Sequence, residues 1–244
     1  MTHKPKPHWY TSWFDTPYYH ILYKDRDYDE AQVFMDKLSA YLNLPERAKI
    51  LDLACGKGRH SIYLNTLGYN VTGVDLSEQS IDHAKQFEND RLKFGVHDMS
   101  KPYPDEFDAV FNLFTSFGYF DDESCNLKTI ESIKKELNPS GFGVIDFMNV
   151  THVVNNLVTQ DKKIVDGIEF DLKRDYHNGY IEKQISFTYN EQPVSFKERV
   201  KALKLNDFES LFEQAGVHLL DIFGDYGLGK YDAEQSERLI MIFK

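Results

Sequence analysis

The chain is 244 residues long, with 28 Lys plus Arg against 39 Asp plus Glu and a formal net charge of −11. That length suits one large domain carrying an insertion, and a composition of 41% hydrophobic and 27% charged residues excludes wholesale disorder and fibrous repeats. The acidic surplus repels a phosphate backbone, whose capture by Lys and Arg supplies most non-specific affinity for DNA and RNA, so nucleic acid is disfavoured as a partner.

The opening residues Met1 to His8 have no apolar stretch behind their basic side chains, and nowhere do about 18 apolar residues run together, so neither a signal peptide nor a membrane span is predicted. The 2 cysteines, Cys55 and Cys125, are too few for a disulfide framework and are not spaced as metal pairs. A reducing, cytoplasmic setting is the expectation. The 9 histidines are scattered, and no metal site is predicted.

The aromatic leader runs from Trp9 to Tyr23, interrupted by Asp15-Thr16-Pro17. Such an apolar segment must pack on something, and it is expected to be a lid. From Tyr28 through Ala31, Phe34, Met35, Leu38, Tyr41 and Leu42 the apolar spacing is helical, with Asn43 and Pro45 as the stop. Short runs rich in Val, Ile and Phe follow: 49–54, 70–75, 92–97, 108–114 and 142–147 are predicted as strands. Helical patterns separate them at 59–67, at 77–88 with Ser77 as N-cap, and at 122–137 before Pro139. Strand and helix alternating at this length predict a parallel sheet covered on both faces. After residue 160 the pattern changes to period two, and Asn178-Gly179 between two such runs predicts a tight antiparallel hairpin, with 194–203 as a third strand. A helix capped by Asn206 and two final strands, 217–223 and 238–243, complete the pattern.

Chemistry concentrates at the ends of the early strands. Asp52-Leu-Ala-Cys-Gly56-Lys-Gly58-Arg59 leaves the first strand through a Gly-x-Gly turn, where missing side chains let backbone amides approach a ligand. Asp75 ends the second strand, placed to accept from both hydroxyls of a ribose, and Asp98 follows the third. Ser61 stands where a dinucleotide fingerprint has its third glycine, and there is no Gly-x-x-x-x-Gly-Lys-Ser/Thr phosphate loop.

Asp52-Leu-Ala-Cys-Gly-Lys-Gly58, Val74-Asp75-Leu76-Ser77, His97-Asp98-Met99 and Asn138-Pro-Ser-Gly141, in this order, resemble the successive motifs of class I S-adenosylmethionine-dependent methyltransferases. The resemblance extends over about residues 15 to 244. It is closest to small bacterial enzymes with a tyrosine-bearing N-terminal helix and an antiparallel insertion, and the glycine-rich stretch is also similar to tellurite-resistance methyltransferases.

The resemblance implies an α/β fold: a doubly wound, Rossmann-like, seven-stranded and mostly parallel sheet, its last strand antiparallel, with a small antiparallel β insertion. It divides the chain into an aromatic lid (1–27), the methyltransferase domain (28–160 and 204–244) and the insertion (161–203). S-adenosylmethionine is the implied cofactor. Its methionine part would lie on Asp52, Ala54, Gly56 and Gly58, with Arg59 pairing its carboxylate. Asp75 would take the ribose, Leu76 the adenine face, Asp98 and Met99 the adenine edge, Asn112 and Leu113 the sulfonium side, and Tyr19 would close over it. Phe114, Phe117, Tyr119 and Asn149 are the candidate acceptor-binding residues.

The stretch 111–120 lacks the Asn/Asp-Pro-Pro-Tyr/Phe used on exocyclic amines of bases, which again disfavours nucleic acid. The implied reaction is methyl transfer to a small-molecule acceptor, mainly by holding donor and acceptor in line, which contributes about 7 to 11 kcal/mol. No residue identifies itself as a general base, since His152 and His177 read equally as polar surface. Two other readings use the same sheet: an NAD-dependent oxidoreductase, against which Ser61 and Asp98 count, and a non-catalytic S-adenosylmethionine-binding regulator. The oligomeric state and the acceptor atom are not encoded in these motifs.

Overall fold

A computed structural model of the chain describes residues 9–24, 28–120 and 122–244; residues 1–8 and 25–27 of the expected lid lie outside them. The chain begins with α1 (Trp9–Phe14), α2 (Pro17–Leu22) and α3 (Tyr28–Leu42). It continues through β1 (Lys49–Leu53), α4 (Arg59–Thr66), β2 (Asn70–Asp75), α5 (Glu78–Ala84), β3 (Leu92–Val96) and β4 (Phe107–Asn112). Next come α6 (Ser124–Glu136), β5 (Leu137–Met148), α7 (Val150–Asn155), β6 (Gln160–Val165), β7 (Ile168–His177), β8 (Tyr180–Tyr189) and β9 (Gln192–Lys201). The chain closes with α8 (Leu205–Ala215), β10 (Leu219–Phe223) and β11 (Arg238–Phe243).

Two compact units form, one from Asp27–Asn155 with Leu203–Lys244 and the other from Met1–Arg26 with Asn156–Ala202. In the larger unit a seven-stranded sheet has the order β3-β2-β1-β4-β5-β11-β10. The first five strands pair in parallel, and β11 lies antiparallel to both β5 and β10. The chain winds outward in both directions from β1 and β4, so their carboxyl ends flank the crevice where open α/β sheets bind ligands.

Local sequence explains this placement. Ile50, Leu51, Asp52 and Leu53 are all buried, the signature of a central strand covered on both faces. On α3 the stripe Ala31, Phe34, Met35, Leu38 and Leu42 is buried, and most of it joins Ile50, Leu64, Val71, Phe94, Phe111 and Ile240 in one core. Gly58 and Gly73 are packing residues here: a Cβ on either would meet the Phe94 ring at 2.6 Å. The α8 helix starts earlier than predicted. Asn206 lies inside it, and Asp207 caps it by accepting from the Lys204 N–H at 2.7 Å. Neither α7 nor β6 is announced by the sequence pattern.

In the smaller unit β6 to β9 form an antiparallel sheet in sequential order. Asn178 and Gly179 both have positive φ, +51° and +75°, as a two-residue hairpin turn requires. Alternation puts Phe170, Leu172, Ile185 and Phe187 on one face, and the leader covers it with buried Trp13 and Leu22. The leader is anchored by polar contacts as well. Trp13 Nε1 donates to Glu198 Oε1 at 2.7 Å, the Tyr23 hydroxyl donates to the same carboxylate at 2.7 Å, and Lys183 Nζ donates to the Tyr23 oxygen at 2.6 Å. Thr16 caps α2 and Pro17 opens it, so Asp15-Thr16-Pro17 is a helix junction, not a free hinge.

Candidate functional site

The turn between β1 and α4 uses three left-handed residues, Ala54 (φ +60°), Gly56 (φ +56°) and Gly58 (φ +82°). Cys55 N donates to Val74 O at 3.0 Å and Gly58 N to Cys55 O at 3.0 Å, which ties the turn to β2. Gly56 differs from Gly58 in what surrounds it: a Cβ there would meet nothing within 4 Å, so its backbone borders open space. No side chain caps α4, whose first N–H groups follow Gly58 directly.

Asp75 links this turn to the next. Its Oδ2 accepts from Gly56 N at 2.9 Å and its Oδ1 from Ser77 N at 2.8 Å. Both of its carboxylate oxygens therefore lie at the carboxyl edge of the sheet, beside the glycine turn. Beside it Leu76 is 39% exposed, an aliphatic surface at the edge of the crevice. Asp98 is engaged by its own turn, accepting from Ser100 N at 3.0 Å and Ser100 Oγ at 2.7 Å and pairing with Lys101 at 3.2 Å. Burial is the largest influence on it and works upward, but Ser100 and Lys101 outweigh it and hold the carboxyl below its ordinary value.

Asp52 is buried on β1, where Ser61 Oγ donates to its Oδ2 at 2.5 Å. Burial pushes its carboxyl up to about 7, the Ser61 bond opposes this, and the charge of Asp75 adds to it. Cys55 is buried and its thiol is raised well above the ordinary value by the same desolvation, the opposite of an activated nucleophile.

Asn112 ends β4 fully buried. Its Nδ2 donates to Leu53 O at 3.3 Å and lies 3.5 Å from Met99 Sδ, bringing three predicted strand ends together. Its Oδ1 has no hydrogen-bond partner among the described residues, an unusual state for a buried carbonyl. Leu113 is buried and its carbonyl accepts from Ser116 Oγ at 2.8 Å.

Of the predicted acceptor residues, Phe117 is fully buried against Phe208, ring centroids 5.4 Å apart. The Asn149 amide donates to the carbonyls of Ala233 (3.0 Å) and Ser236 (2.8 Å) and its Oδ1 accepts from Thr151 N (3.2 Å), which pins a loop. Tyr119 is half-buried, as is Phe114. Tyr19 belongs to the smaller unit, its ring 5.6 Å from Trp13 and 4.9 Å from Phe14. Of the two candidate histidine bases, His177 lies between Asp175 (3.1 Å) and Glu182 (3.5 Å) on the hairpin, and His152 lies on α7.

Sequence reasoning missed a polar group beneath Phe114. Asp146 on β5 is fully buried, and Arg238 at the start of β11 donates to it from Nε at 2.8 Å with Nη2 at 2.7 Å. Phe114 N and the Tyr226 hydroxyl donate to its Oδ2 at 2.8 and 3.2 Å. The Tyr226 ring stacks on Phe114 at 4.9 Å and 19°, with Arg59 4.5 Å from the Phe114 centroid and the His60 ring at 4.9 Å. Burial pushes the Asp146 carboxyl up and the Tyr226 phenol up; the two Arg238 contacts oppose the rise at Asp146, and the phenol remains a donor. The group grips two residues in the left-handed region, Phe114 (φ +55°) and Thr115 (φ +60°), each costing about 1–3 kcal/mol. Asp146 O accepts from Thr115 N at 3.0 Å, and Arg238 Nη2 donates to Thr115 Oγ1 at 3.0 Å.

Residues 50–141 match a methyltransferase domain family, which covers the glycine turn and both downstream acids. Those residues carry a methyltransferase domain. It is 36% identical over 108 residues to the putative methyltransferase YqeM of Bacillus subtilis, covering 43% of this chain and 44% of that one. It is 31% identical over 124 residues to glycine N-methyltransferase of Rattus norvegicus, covering 44% and 42%. The match therefore spans less than half of either curated relative. In fold it is similar to a crystal structure of an S-adenosylmethionine-dependent methyltransferase from Clostridium acetobutylicum, with a TM-score of 0.78, 20% identity and coverage of 93% of this chain and 95% of that one. Among the described residues no helix is long and apolar enough to cross a membrane.

Proposed function

We propose that this protein transfers a methyl group from S-adenosylmethionine to a small-molecule acceptor, and that the acceptor atom is an amine nitrogen. The observation that carries the reading is the carboxyl-edge crevice, where Gly56 borders open space between the Asp75 carboxylate and the uncapped start of α4. Those features fit the donor. A helix N-terminus accommodates its carboxylate, the Asp75 carboxylate at the end of β2 suits its ribose hydroxyls, and exposed Leu76 offers adenine an apolar face. The orphaned Asn112 Oδ1 is an acceptor that a cation would satisfy. Arg59, Asp52 and Asp98 complete the residues that would hold the donor.

The sulfonium supplies an already electrophilic methyl group. The protein's own task is to orient donor and acceptor and to exclude water. A neutral amine needs no base to attack, which suits a site where Asp146 is paired with Arg238 and the Tyr226 phenol is held protonated. The 31% identity over 124 residues to a glycine N-methyltransferase separately supports an amine.

The test is transfer from methyl-labelled S-adenosylmethionine across a panel of amino sugars, amino acids, thiols, phenols and metalloid oxyanions. Label is expected in an amine; label in a thiol or oxyanion alone would overturn the choice of atom.

A further inference from the structure

Two consecutive residues other than glycine in the left-handed region, just after β4, need a restraint and a reason. The restraint is a pair of bonds: Arg238 Nη2 donates to Thr115 Oγ1 at 3.0 Å, and the carboxylate it pairs with accepts from the Phe114 N–H at 2.8 Å. The reason lies two residues upstream. Asn112 spends its amide nitrogen on Leu53 O and on Met99, leaving Oδ1 buried with no donor among the described residues.

We propose that Arg238 is a positioning residue that, through Thr115 and Asp146, fixes the turn after β4 so that the Asn112 carbonyl faces the sulfonium of the bound donor. This rests on the methyltransferase reading above and adds to it a residue that no motif marks. A sulfonium offers no N–H or O–H, but its positive charge and polarised methyl C–H groups attract a carbonyl oxygen. The thioether of S-adenosylhomocysteine carries no charge. A correctly held Asn112 therefore favours the methylated donor over the spent one, and a loosened turn loses that preference. If the pair only staples β5 to β11, loosening it acts on both ligands alike.

The test measures dissociation constants for S-adenosylmethionine and S-adenosylhomocysteine by calorimetry in the full chain, in Arg238→Lys and in Thr115→Val. The first keeps the charge and loses the planar fork; the second keeps the shape of Thr115 and loses the hydroxyl. Thermal unfolding of each variant checks folding, and Thr115→Val probes the same bond should Arg238→Lys fail to fold. In both variants S-adenosylmethionine is expected to bind about tenfold more weakly while S-adenosylhomocysteine stays within about threefold. Equal weakening of the two ligands, or no change in either, overturns the proposal. A parent protein that binds neither ligand overturns the methyltransferase reading itself, and the proposal with it.

Discussion

Replacing Asp146 by Ala is expected to destabilise the protein by about 3–5 kcal/mol, the range for removing one partner of a buried ion pair. The effect is large because Asp146 is fully buried while the Arg238 side chain is 17% exposed, so the abandoned guanidinium has little water to turn to. Two further donors lose their acceptor in the same step, Phe114 N and the Tyr226 hydroxyl. For a chain of this size about 2–4 °C of Tm accompanies each kcal/mol, so thermal and urea unfolding both read the change. Replacing both members, Asp146→Leu with Arg238→Met, should recover most of the loss, because two apolar residues leave no unpaired charge. A single-variant loss below about 1 kcal/mol would mean that Arg238 reaches solvent and that the pair is not the restraint described here.

The second large effect is a pH dependence centred on Asp52. Burial raises its carboxyl from an ordinary 3.8 to about 7 in the folded state. Below 3.8 both states hold the proton; between 3.8 and 7 the unfolded chain has released it and the folded chain has not. The folded state binds more protons in that window, so stability falls as pH rises through it, by about 4 kcal/mol from Asp52 alone. Glu136, raised by burial from 4.5 to about 7, pushes the same way. Asp52→Asn should flatten much of the slope in urea unfolding between pH 4 and pH 7. Ligand binding reverses the sign. An ammonium held by Asp52 favours the carboxylate, so affinity for S-adenosylhomocysteine should rise with pH through about 7 and calorimetry should record proton release there. A pH-independent affinity would show that Asp52 only supports the turn through Ser61.

Much of this was legible in the sequence because parallel strands and their helices are read from short-range periodicity. The uninterrupted burial of 50–53, the Asn178-Gly179 turn and the α3 stripe all follow local rules. What covers what was not legible. The leader's aromatic residues announce that they must pack, but not that Trp13 and Tyr23 meet Glu198, 185 and 175 residues away. The acids, the glycines and Asn112 expected to hold the cofactor lie at or just after the ends of β1, β2, β3 and β4 because each motif sits at a strand end, whereas Tyr19 lies in the smaller unit. Asp146 carried the same signal as Asp52, an acid inside an apolar strand, and went unread because its partner Arg238 is 92 residues distant. Conversely Gly58, read as a ligand-facing glycine, is required by the Phe94 ring, and only coordinates distinguish it from Gly56.

Titrating S-adenosylhomocysteine and NAD separately into the same protein in a calorimeter decides whether the crevice beside Gly56 and Asp75 binds S-adenosylmethionine. Micromolar binding of S-adenosylhomocysteine and no heat from NAD are expected. Binding of NAD, with S-adenosylhomocysteine silent, would contradict that assignment.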